Sequence, residues 1–183
     1  MCEGEPRKRI PYSRPTGVPA IVDEKAYTKN RCSDKARKIN SIRPNVKFEV
    51  WFDQHYHIRE QFGDNNGVRD GIDPQTVESL VLKGMKHLIA YSSILKSFTF
   101  INHGESTGRA NRIVLQEETE DGLLNVVIEA HIIDIDTYEI TVKTAMCTDN
   151  FIISDGQFVL NIIENESVLK RKERGALRDV YTL

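Results

Sequence analysis

The chain has 183 residues, 39% of them hydrophobic and 28% charged, with a formal net charge of −2. These figures suit one globular domain with flanking segments, large enough to bury a core without disulfide or metal staples. No apolar run approaches the roughly 18 residues of a membrane span, and Cys2, Cys32 and Cys147 are too scattered for a disulfide framework or a C-x-x-C zinc clip.

The charge is unevenly distributed. Residues 1–47 carry twelve lysines and arginines against five acidic residues, whereas residues 48–163 carry eight against eighteen. The pattern describes an acidic centre with a basic arm. Residues 1–45, with Pro6, Pro11, Pro15 and Pro19, are expected to form that arm, extended and wet, with a short helix near 33–39. Positive charge near the start is not followed by an apolar stretch, so no signal peptide is expected there. With unpaired cysteines, this sets a cytoplasmic expectation.

The folded domain is expected over 46–163. Phe48, Val50 and Phe52 alternate with Lys47, Glu49 and Trp51, which predicts a short strand. Asp53 can cap a two-turn helix through Phe62. After the turn-rich stretch 63–67, Asp73 and Pro74 open a second helix, in which Val77, Leu80, Val81, Gly84, Met85 and Leu88 fall on one face. His87 lies off that stripe and is expected to be solvated. Strands are predicted at 98–102, 112–116, 123–133 and 138–146, with a hairpin of 151–154 and 157–163 turning at Asp155-Gly156. Residues 164–183 are expected to be a charged tail or helix. The predicted fold class is α+β: two N-terminal helices packed on a twisted antiparallel sheet of five to six strands.

Register sharpens the reading. In 123–133 the apolar set is Leu124, Val126, Ile128, Ala130 and Ile132; in 138–146 it is Tyr138, Ile140, Val142, Thr144 and Met146. Keeping both sets on the core side pairs even-numbered residues with even-numbered ones. A three-residue loop would then set His131 opposite Thr141 and Glu129 opposite Lys143. Glu129, His131, Glu139, Thr141 and Lys143 share the other face.

Two constellations carry candidate chemistry. His55 and Arg59 stand one helical turn apart, pairing a proton-transfer group with a phosphate-binding fork. Metal-free RNA cleavage needs that combination. The bland alternative is a surface His–Arg pair bonded to Glu60 or Asp53. If the segment were extended instead, Asp53, His55 and His57 would line one face and could begin a metal site with His103 or His131. The helix assignment removes this geometry, so no metal and no cofactor are expected. His103, Arg109 and Arg112 flank a glycine-containing loop and are candidate phosphate contacts with Lys143. Gly104–Arg109 lacks the lysine and strand-to-helix context of a P-loop.

The order of strand, H-x-x-x-R helix, Arg-x-Gly-Ile, amphipathic helix and a sheet containing T-V-x-T resembles the RelE-like ribonucleases, part of the wider barnase–EndoU–colicin–RelE group. The matching residues are His55, Arg59, Arg69-Asp-Gly71-Ile72 and Thr141-Val142-Lys143-Thr144, over about 46–146. The resemblance implies metal-independent RNA cleavage by a toxin or effector, with RNA and an antitoxin-like protein as partners. It implies His55 as acid or base, Arg59 and Arg69 at the scissile phosphate, and Thr141 or Thr144 as the strand hydroxyl; His131 joins them through its place beside Thr141. The acidic centre supports another expectation: a non-catalytic binding protein, of phage or mobile-element type, that occupies a partner's nucleic-acid-binding surface.

Overall fold

The computed structural model describes residues 26–42, 47–62, 72–103, 110–134 and 136–183. Among these described residues, nine strands and two helices follow in the order β1 (Ala36–Ile42), β2 (Lys47–Asp53), α1 (Gln54–Phe62), α2 (Pro74–Ile94), β3 (Ile101–Asn102), β4 (Arg112–Thr119), β5 (Gly122–Asp134), β6 (Thr137–Cys147), β7 (Phe158–Ile163), β8 (Glu166–Glu173) and β9 (Ala176–Thr182). All nine strands join one sheet, ordered β1-β2-β6-β5-β4-β7-β8-β9, with β3 beside β5.

Both helices start where the sequence signals predict. The Asp53 carboxylate accepts the His55 amide at 3.0 Å, and Asp73 accepts the Thr76 amide at 3.0 Å with Pro74 opening the helix. The 21-residue α2 buries Val77, Leu80, Val81, Met85, Leu88 and Tyr91 against Val50, Phe52, Leu115, Val126, Ile128 and Val142 of the sheet. Each large apolar side chain buried there contributes on the order of 1.5–3 kcal/mol. Gly84 permits the close approach, since a Cβ there would stand 2.8 Å from Leu115 Cδ1.

The expected architecture is corrected in several respects. The sheet is mixed and larger than the five or six antiparallel strands anticipated: β2–β6, β4–β7 and β3–β5 are parallel. Local hairpins fix only neighbouring strands, and the segments between β2 and β6 and between β6 and β7 are long enough for parallel crossovers. Residues 33–39 form no helix; β1 starts at Ala36 and pairs antiparallel with β2, bringing part of the expected arm into the sheet. Residues 151–154 are not a strand. They carry the β6–β7 crossover, with Phe151 and Ile153 packed on Val114, Val127 and Val159. Asp155-Gly156 does turn, with Gly156 at φ 84°, but β7 lies between β4 and β8. The expected charged tail or helix is the antiparallel pair β8 and β9. Its inner anchor is Leu169, fully buried in the main core.

In β5–β6 the even-with-even rule holds from Ile128 to Ile132, but two residues out of the expected register: His131 faces Glu139, and Glu129 faces Thr141. A bulge at Lys143 then reverses the parity, so that Val127 pairs with Thr144 and Val126 with Ala145. Thr144 therefore leaves the apolar side, where strict alternation had put it.

Candidate functional site: a basic groove and the buried cluster behind it

The sheet face away from α2 carries polar residues under a cover. Glu49, Glu129, His131, Glu139 and Thr141 are all buried. The segment preceding β1 lies across them. Asn30 Nδ2 donates to Thr141 Oγ1 at 2.7 Å, the Arg31 amide donates to Glu139 Oε1 at 2.9 Å, and Cys32 Sγ stands 3.9 Å from the same carboxylate oxygen. The Asn30 carboxamide oxygen also accepts the amides of Cys32 and Ser33, which holds the turn in shape.

Lys143, the bulge residue, reaches under this segment. Its Nζ donates to Asp53 Oδ2 at 2.6 Å and to the Cys32 carbonyl at 3.2 Å. Burial pushes the Asp53 carboxyl up, but hydrogen bonds from Lys143 and the His55 amide, with the Lys143 charge, outweigh it and hold it below its ordinary value. One lysine thus ties β6, the start of α1 and the covering segment together.

Beside this cover runs an open groove of about 1520 Å³. Its cations are Lys29, Arg31, Lys35, Arg112, Lys143 and Arg171, and its acids are Asp34, Asp53, Glu129 and Asp155. Three of the acids are engaged: Asp53 by Lys143, Glu129 by Arg112 at 3.3 Å, and Asp34 by Lys29 at 3.8 Å. His55, exposed at the start of α1, stands on the groove wall.

The residues singled out in the sequence are therefore divided. His55, Arg112, Lys143 and Thr144 line the groove. His131 and Thr141 do not; they are 1% and 0% exposed beneath the covering segment. His131 Nε2 faces Glu129 Oε1 at 3.4 Å, while its Nδ1 has no hydrogen-bond partner among the described residues. His103 is exposed after β3 and is not part of the groove lining. Arg59 lies on α1 with its side chain outside the described residues, as are Arg69 and Arg109. The extended D-x-H-x-H arrangement does not form, because His55 and His57 are helical. His87, expected to be solvated, is half-buried, and its Nδ1 lies 2.9 Å from Ser167 Oγ.

Sequence reading missed Asn30 and Cys32, which belong to the stretch taken as an arm. The shared face of Glu129, His131 and Glu139 was legible from alternation alone; what covers it was not. Among the described residues, no helix is long and apolar enough to cross a membrane. No family model, curated protein or solved structure matches the chain.

Proposed function

We propose that this protein is a cytoplasmic, metal-independent endoribonuclease of toxin or effector type that binds RNA along the basic groove. The observation carrying the reading is an exposed histidine on the wall of a groove supplied with six cations, of which Lys29, Arg112 and Lys143 pair with acids of the groove and Arg171 with Glu173 beside it at 3.7 Å. His55 takes the proton of the ribose 2′-hydroxyl. The resulting oxygen attacks the adjacent phosphorus, and Arg112 and Arg171 hold the charge that gathers on the phosphate oxygens. The leaving 5′-oxygen draws its proton from solvent, since His131 is buried away from the groove. The products are a 2′,3′-cyclic phosphate and a free 5′-hydroxyl.

The test uses labelled RNA in buffer without added divalent metal. Wild type should leave cyclic phosphate ends, and His55→Ala should lower the rate by about 10²–10⁴-fold. Arg171→Ala should weaken RNA binding uniformly across sequences and reduce the salt slope by about 1. Failure of the folded wild type to cleave diverse RNAs would overturn the reading. The alternative would then lead: a binding protein presenting acids to a basic partner surface. It is favoured by the exposed Glu118, Glu120 and Asp121 at the β4–β5 tip, with exposed Asp149 in the segment after β6.

A further inference from the structure

The buried cluster behind the groove contains a mixed donor set that the proposed cleavage does not use. One ligand atom each from Cys32, Glu129 and His131 lie within 4.8 Å of one another. The three come from two separate pieces of chain, the segment before β1 and β5, and the Glu139 carboxylate borders the cluster, its Oε1 3.9 Å from Cys32 Sγ. Tetrahedral zinc, with bonds of about 2.0–2.3 Å, sets its ligand atoms roughly 3.3–3.8 Å apart. The separation of 3.4 Å between His131 Nε2 and Glu129 Oε1 falls in that range.

His131 is 1% exposed; its Nε2 faces the Glu129 carboxylate, while its Nδ1 has no hydrogen-bond partner among the described residues.

We propose that Cys32, Glu129 and His131 form a binding site for a divalent transition-metal ion, zinc by its donor set, which fastens the segment before β1 onto the sheet. A thiolate, an imidazole and a carboxylate select zinc or cobalt over magnesium and calcium, which take oxygen donors. Binding displaces the Cys32 proton to solvent as the sulfur–metal bond forms. Glu129 Oε2 remains with Arg112 at 3.3 Å, an outer contact that orients the carboxylate. Three protein donors leave the fourth tetrahedral position to a water. The inference is independent of the ribonuclease reading, because its readout is metal binding.

The experiment takes tag-free full-length protein, stripped with chelator and shown by circular dichroism to be folded, and titrates it with Co²⁺. The expected result is one Co²⁺ per chain with a thiolate-to-cobalt charge-transfer band and tetrahedral ligand-field bands, all displaced by Zn²⁺. Cys32→Ser should abolish the charge-transfer band and weaken binding by more than about 100-fold, the most expected from losing an outer-shell partner. Cys147→Ser should change neither. Should Cys32→Ser fail to fold, wild type decides the matter through alkylation: Zn²⁺ must protect Cys32 while Cys147 still reacts. No cobalt uptake, a spectrum without the thiolate band, a band that survives Cys32→Ser, or equal alkylation with and without Zn²⁺ would overturn the proposal.

Discussion

Replacing Lys143 with methionine should be among the most destabilising single changes in the protein, and its effect should depend on pH. The Lys143 and Asp53 side chains are 16% and 7% exposed, and the ion pair spans 2.6 Å. Methionine keeps the aliphatic stem but leaves the buried Asp53 without its cation, held by the His55 amide and the Ser33 hydroxyl, and it also removes the donor to the Cys32 carbonyl. Breaking a buried pair from one side costs about 3–5 kcal/mol. For a urea slope near 2 kcal/mol/M, that moves the unfolding midpoint by roughly 1.5–2.5 M. The sign of the pH effect follows from Asp53. In wild type its folded pKa lies below the unfolded value, so the pair's stabilisation is present above the unfolded pKa and is lost as pH falls through the folded one. Without Lys143, burial dominates and raises the folded pKa above the unfolded value. The variant then gains stability relative to wild type as pH falls through that raised pKa and Asp53 becomes neutral. Urea unfolding at pH 7 and pH 4 measures both. A difference below about 1 kcal/mol at pH 7 that does not shrink in acid would refute the assignment of Lys143 as the tie between β6 and α1.

Three smaller perturbations test other joints. Asp73→Ala removes the α2 cap and should cost about 1 kcal/mol by denaturant titration. Tyr91→Phe deletes the hydroxyl that donates to the Ser167 carbonyl at 2.7 Å inside the core; thermal or urea unfolding should show a loss of about 1–3 kcal/mol if that contact anchors β8 to α2. Desolvation, with Lys86 nearby, lowers the His87 pKa below its ordinary value. Its contribution should therefore be lost as pH falls from about 6.5 through the folded pKa. His87→Gln should flatten that part of the stability profile, and an NMR titration should place the His87 midpoint below 6.5.

Much of the local structure was legible because local rules control it. The caps at Asp53 and Asp73 need only a side-chain oxygen and free amides one turn away. The apolar stripe of α2 and the alternation in β5 are periodicities of the chain itself. Strand partners are another matter. In β9 every residue is exposed, so Ala176–Thr182 shows no inward-facing alternation to distinguish a strand from a charged tail. Conversely, the apolar run at 151–154 resembles a strand because Phe151 and Ile153 do pack on the sheet, but as a crossover rather than as a paired edge.

The sequence alone determined the two helices, their start points, the central strands β4–β6 and the collection of Glu129, His131 and Glu139 on one side of the sheet, all consequences of contacts or periods within a few residues. Tertiary structure decided the rest. The bulge at Lys143 moved Thr144 to the groove and let the lysine reach Asp53, and no composition rule announces one extra residue in a ladder. The meeting of Cys32 with Glu139 joins positions 107 residues apart. That separation has no sequence period, because the proximity is created by the segment before β1 lying over the assembled sheet.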